Sequence, residues 1–151
     1  MWNYGDVEFT SEMIKEYVGF VYVITDLSNK KKYVGKKLFK STRRLAPLKG
    51  KTRKRKVVKE SDWKDYFGSS EEVKLILEEN GRDSFHREII HLCDSKGEMS
   101  YLEAKEQFDR GVLWDDKYYN GIIHLRTSGK HLSEELKEEL RNDHRDPTRE
   151  N

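Results

Sequence analysis

At 151 residues, 34% hydrophobic and 38% charged, the chain is long enough for one domain with one real core, surrounded by extended charged loops or tails. No apolar run approaches a membrane span and no charged, apolar, small-residue sequence opens the chain, so neither a membrane-spanning nor a secreted protein is expected. A lone cysteine, Cys93, cannot form an internal disulfide and fits a cytoplasmic location, where it reads as a small apolar residue near a strand end.

The formal net charge of +2 conceals a separation. Residues 30–59 hold 15 of the 30 lysines and arginines and no acid, whereas the other 121 residues carry all 28 acids and a formal balance of −13. Such crowded like charge is best tolerated where a polyanion neutralises it. Each phosphate contact also releases counterions, which would make the segment a salt-sensitive nucleic-acid grip. A solvated loop is the plain alternative.

In chain order, residues 1–18 form an N-terminal extension. It predicts a short helix capped by Thr10 or Ser11, with Met13, Ile14, Tyr17 and Val18 as its apolar side. FVYVIT and KKYVG then read as two strands of a hairpin around Asp26–Lys31. The basic stretch, broken by Pro47 and Gly50, has little periodicity and reads as a long loop with a helical turn near 38–45. Ser69 and Glu72 stand in capping-box spacing before a helix that Gly81 stops. Residues 84–93 predict a third strand, 98–110 a second helix ending at Gly111, and 122–125 a short extended piece. Leu132, Leu136 and Leu140 recur one helical turn apart in a final helix that packs back onto the domain. The polar tail HRDPTREN follows, so 126–151 is a C-terminal helix and tail. The expected fold class is α+β: a small three-stranded mixed sheet flanked by helices, with a long basic loop and an extra C-terminal helix.

Metal-cluster, P-loop and nucleophile-elbow motifs are absent, and His86 and His91 point to opposite faces of one strand. What remains is an ordered constellation: Phe20-Val21-Tyr22, Tyr33-Val34-Gly35-Lys36, the basic segment, GR-D-SF at 81–85, a helix bearing Glu103 and Glu106, and Tyr118-Tyr119-Asn120. Over roughly residues 19–125 this set resembles the GIY-YIG endonuclease family, and most closely its small stand-alone members carried by tailed bacteriophages.

That resemblance implies a metal-dependent DNA endonuclease leaving 5′-phosphate and 3′-hydroxyl ends, acting in the host cytoplasm if phage-encoded. Tyr22 and Tyr33 match the two motif tyrosines, one to activate or position water and the other to share that task or bind phosphate. Neutral phenols are poor bases, with an unperturbed pKa of about 10; Lys36 and Lys37 would favour the phenolate. Gly35 permits close backbone approach. The family's catalytic arginine falls on Arg43, ten residues after Tyr33, which a short helix would point back at the sheet; Arg44, Arg53 and Arg55 compete with it. Tyr66 substitutes for a histidine that some members carry.

One Mg2+ or Mn2+ would sit on Glu103, whose Tyr-Leu-Glu-Ala context resembles the family motif better; Glu106 is runner-up, because the family spacing to Asn120 falls between the two and the helical wheel does not separate them. Asn120 supports the site. The expected partner is DNA, bound by Lys36, Lys37 and the basic residues around them, with no small-molecule cofactor and no membrane. A homodimer would be required for double-strand cuts. Nothing after residue 125 is long enough to be a separate DNA-reading domain, so weak or structure-dependent specificity is expected. Two other readings remain: a catalytically silent nucleic-acid-binding module using residues 36–59, and an interaction protein whose basic segment meets an acidic partner.

Overall fold

The computed structural model describes residues 1–144, and the polar tail beyond lies outside them. The elements are β1 (Asn3–Tyr4), β2 (Val7–Glu8), β3 (Gly19–Asp26), β4 (Lys32–Leu38), β5 (Lys40–Leu45), β6 (Arg55–Glu60), α1 (Glu71–Asn80), β7 (Phe85–Cys93), α2 (Lys96–Arg110) and α3 (Glu134–His144). The fold is α+β, but the mixed sheet has five strands in the order β2-β1-β7-β3-β4, not three, and β5-β6 form a separate two-stranded ribbon.

β3, β4 and β7 stand where the β-branched and aromatic runs put them. β3 lies between the other two, antiparallel to both. Two strands were unreadable in the sequence because they are two residues long. β1 and β2 turn tightly at Gly5, whose φ of 62° suits glycine, and β1 adds parallel to β7. The helix expected before β3 is instead a single 3-10 turn, Ser11–Met13. Residues 1–18 also fill the core: Trp2, Phe9 and Ile14 are buried against Phe20, Tyr22, Phe39 and Trp63, and Trp2 Nε1 donates to the Trp63 carbonyl at 2.7 Å.

The basic segment departs most from expectation. Instead of a loop with a helical turn it forms the β5–β6 ribbon, with Lys40 opposite Glu60 and Leu45 opposite Arg55. Thr42, Val57 and Val58 supply the β-branched residues that favour extended backbone. Lysines and arginines on both faces erase the alternation by which such strands are recognised.

The helices follow their caps. Ser70, one residue past the expected cap, accepts from the Val73 N–H to start α1, and Ser95 does the same for Glu98 in α2. Gly111 ends α2 in the left-handed conformation. Residues 122–125 are not a strand; only Tyr118, bridged to Lys32, runs along the sheet edge.

Alternation along the central strands divides the core into two clusters. Phe20, Tyr22 and Ile24 face an aromatic side with Trp2, Phe39 and Trp63. Val21, Val23 and Val34 face α2, meeting Met99, Leu102 and Val112. Leu136 of α3 is buried in this second cluster, with Leu132 and Leu140 packed against it, as the leucine spacing predicts.

Candidate active site

β4 is an edge strand, and this decides how a site can form on it. Tyr33, Gly35 and Lys37 pair with Ile24, Tyr22 and Phe20 on the aromatic side, while Val34 and Lys36 pair with Val23 and Val21 on the α2 side. Groups from both faces therefore meet around the outer margin of β4, at the level of Gly35.

On the aromatic side three phenols gather. The Tyr22 ring lies 6.3 Å from that of Tyr33 and 6.0 Å, edge-on, from that of Tyr66. Gly35 makes this packing possible: a Cβ there would lie 2.6 Å from Tyr22 Cζ and collide with its hydroxyl. Gly68, at φ 86°, closes the opposite side, where a Cβ would come within 3.0 Å of the Tyr33 ring and 3.3 Å of the Tyr22 hydroxyl. Next to it, Ser69 Oγ shares a 2.8 Å hydrogen bond with the Tyr33 hydroxyl. A register shift between β3 and β7 falls at Val21/Tyr22; bulges of this kind re-aim a side chain next to a site.

Arg87 holds the third phenol. It is 4% exposed, stacks 4.0 Å from the Phe67 ring centroid, and donates through Nη1 to the carbonyls of Lys64 at 3.0 Å and Tyr66 at 2.8 Å. Burial brings its pKa down to about 10. No local pattern marks Gly68 or Arg87, or gives Ser69 a role beyond a helix cap, because each matters through a neighbour distant along the chain. The nearest signal was the turn-rich, aromatic YFGSS run itself.

On the α2 side, Lys36 Nζ donates to Ser100 Oγ at 2.8 Å and stands 3.9 Å from the Glu103 carboxylate. The Glu103 side chain is only 13% exposed. Burial raises its pKa, and the Lys36 charge offsets that only in part. Glu106, one helical turn on, is elsewhere engaged: His91 Nε2 lies 2.8 Å and Arg110 Nε 2.9 Å from its two oxygens. Hydrogen bonding from His91, with Arg110 beside it, outweighs burial and brings Glu106 down to about 2.

Tyr22 is 1% exposed and its pKa is raised well above the ordinary value, first by burial and then by Tyr66, Tyr33 and Glu103. Tyr33 is raised too, by burial, with the Ser69 hydrogen bond opposing. The expectation that Lys36 and Lys37 favour phenolates is therefore not met in the free protein. Lys36 is turned to Ser100 and Glu103, and Lys37 lies 4.1 Å over the Tyr66 ring and 2.7 Å from Asp62.

Asn120 acts on the site through the backbone of β4. It is 8% exposed; its Oδ1 accepts from the Val34 N–H at 3.0 Å and its Nδ2 donates to the Val34 carbonyl at 2.8 Å. Gln107 Nε2 donates to the same carbonyl at 3.1 Å. These amides take the place of a missing neighbour strand and fix Tyr33-Val34-Gly35 between them.

The fold does not bring every candidate in. Arg43, Arg44 and Arg55 lie on the ribbon and Arg53 in its connecting loop. No hydrogen bond, ion pair or ring contact among the described residues joins any of them to Tyr22, Tyr33, Tyr66 or Glu103. The helical turn that was to aim Arg43 at the sheet is a strand. Among the described residues no group of three or more His, Cys, Asp or Glu side chains could hold a metal ion, and no helix is long and apolar enough to cross a membrane.

A mixed sheet whose β3–β4 hairpin carries paired tyrosines, with a helix-borne carboxylate near its edge, is the setting in which a family match places a nuclease domain. The chain belongs to the GIY-YIG endonuclease family: the family model described as "Putative endonuclease segE, GIY-YIG domain" matches residues 2–123. No curated protein and no solved structure gives a significant match.

Proposed function

We propose that the protein is a divalent-metal-dependent DNA endonuclease whose site is assembled around the outer edge of β4. One observation carries this reading: Tyr22, packed against Gly35, and Glu103, 3.9 Å from Lys36, are brought to adjacent residues of β4 from opposite faces of the sheet. Burying a carboxylate costs free energy that neither packing nor a complete ion pair returns here, and such arrangements cluster at functional sites.

The donor set suits a hard cation. Mg2+ keeps several waters and is commonly held by one or two carboxylates together with substrate phosphate oxygens, so Glu103 would be its protein ligand. When bound, such an ion stabilises charge developing on the scissile phosphate and its leaving oxygen.

The chain's own groups do the rest. Tyr22 is a neutral phenol in the free protein, so it serves as a fixed hydrogen-bonding group that orients the attacking water in line with the phosphorus. Tyr33, half-buried and tied to Ser69, meets the phosphate or the same water. Lys36 offsets negative charge beside Glu103. Asn120 and Gln107 are positioning residues, acting through Val34. Attack by water breaks the bond from phosphorus to the 3′ oxygen and leaves a 5′-phosphate and a 3′-hydroxyl. We assign Arg43, Arg44, Arg53 and Arg55 to holding DNA. One such cleft serves one strand, so double-strand breaks would take two copies.

The test is a plasmid assay. Purified protein should nick supercoiled DNA in Mg2+ or Mn2+ and be silent in chelator, and the new ends should be substrates for a ligase once nicked circles are isolated. Silence on duplex, nicked and branched DNA in the presence of either ion would refute the proposal. A catalytically silent module would use the same cationic ribbon, but would gain nothing from a carboxylate buried beside the tyrosines.

A further inference from the structure

The ribbon carries more than charge. Register and alternation sort it into two faces. Ser41, Arg43 and Leu45 share one with Lys59, Val57 and Arg55; Lys40, Thr42 and Arg44 share the other with Glu60, Val58 and Lys56. All six residues of β6 are exposed, as are four of the six in β5. Among the described residues no carboxylate forms an ion pair with Lys40, Arg43, Arg44, Arg55, Lys56 or Lys59.

The base of the ribbon is nonetheless firmly rooted. Phe39 is fully buried, the Ser61 N–H donates to its carbonyl at 2.8 Å, and Glu60 accepts from Ser11 Oγ and Trp63 Nε1, each at 2.7 Å. A two-stranded ribbon bearing unopposed charge is marginal alone in water. What it lacks is a polyanion shaped to receive it.

We infer that the ribbon enters the major groove of duplex DNA and that its Arg43–Arg55 face reads base edges there, with guanine as the preferred contact. The inference rests on the nuclease reading only in taking duplex DNA as the ligand. Two strands about 4.8 Å apart fit a major groove about 12 Å wide and not a minor groove of about 6 Å. The six paired residues span about 20 Å, close to six base-pair steps. Arg43 and Arg55 are diagonal neighbours, about 7–8 Å apart, so their guanidinium forks reach bases roughly two steps apart, each matching the O6 and N7 acceptors of guanine. Leu45 and Val57 on the same face offer contact to thymine methyls. Lys40, Arg44 and Lys56 on the far face are long enough to turn back to the phosphate walls. Sequence readout is thus supplied from within the nuclease domain.

The experiment requires no cutting. In chelator, the full-length protein selects binders from a randomised duplex library, and guanine N7 methylation interference is mapped on a selected site. Selected sites should share guanines about two steps apart, N7 methylation at those positions should weaken binding roughly 10- to 100-fold, and Arg43→Ala/Arg55→Ala should erase the shared sequence while retaining weaker duplex binding. Double-stranded RNA of the same sequence should compete poorly, because its major groove is too deep and narrow. Sites with no common sequence, interference at adenine N3 in the minor groove, or equal binding of double-stranded RNA would each overturn the inference. The interference map is made on the unaltered protein, so it holds whatever the double variant does to folding. Because nothing is cleaved, a failure here leaves the nuclease proposal standing, and a protein that never cuts leaves this result interpretable.

Discussion

The aromatic side of the sheet and the β5–β6 ribbon are joined by one buried residue, Phe39, yet they are opposite in every physical respect. Around Tyr22, rings pack edge to face, charges are few, and burial raises the pKa values of Tyr22, Tyr33 and Glu103. Along the ribbon nothing is buried but its base, and its cations face solvent. Substitutions in the first region should therefore act on rate and stability together. In the second they should act on DNA affinity while leaving the fold and the rate of bound substrate nearly unchanged.

The sharpest way to break this contrast is Gly35→Ala. The new Cβ meets Tyr22, which Trp2 and Tyr66 hold from other sides. Overpacking of this kind costs about 1–3 kcal/mol, and displacement of Tyr22 should lower single-turnover cleavage about 100-fold. Denaturant titration and a cleavage time course read the two effects. Next, Asn120→Ala removes both amide contacts to Val34 and leaves the buried Val34 N–H unpaired, while Gln107 still donates to the carbonyl, at about 1–3 kcal/mol. Tm should fall, with cleavage lowered less than by Gly35→Ala.

A pH profile sharpens the electrostatics. Glu103 must be ionised to hold a cation, and its pKa is raised above the ordinary 4.5 by burial. Cleavage should therefore rise with pH along a limb lying above that value. Lys36 opposes the rise, so Lys36→Met should move the limb further up; an unmoved limb would separate Lys36 from Glu103. The smallest effect belongs to the ribbon. Lys40→Gln/Lys56→Gln should reduce the slope of log affinity against log salt by about 2, with Tm unchanged within about 2 °C.

Much of the tyrosine-bearing half was readable in the sequence because its signals are local. Tyr22 and Tyr33 sit in runs of β-branched and aromatic residues, and α1 and α2 follow from serine caps and glycine stops. The ribbon was not readable, since strand alternation needs a polar and an apolar face and this segment has long cations on both. The sequence favours Glu103 over Glu106 by its Tyr-Leu-Glu-Ala context; the structure adds that Glu103 stands beside Lys36 at the edge of β4, whereas Glu106 is engaged by His91 and Arg110. Arg43 stands out in the sequence by its ten-residue spacing from Tyr33 and by a helical turn that would aim it at the sheet; residues 40–45 form a strand instead. Arg87 and Gly68 matter through contacts with Tyr66 and Tyr33 that no spacing encodes.

The most direct measurement separates binding from cutting in one variant. With Glu103→Ala, single-turnover cleavage of a duplex in Mg2+ should fall by at least about 10²–10³, while duplex affinity in chelator stays within about twofold of the unaltered protein. Cleavage that persists in Glu103→Ala, or is lost instead in Glu106→Ala with Glu103 intact, would contradict a site built around the edge of β4.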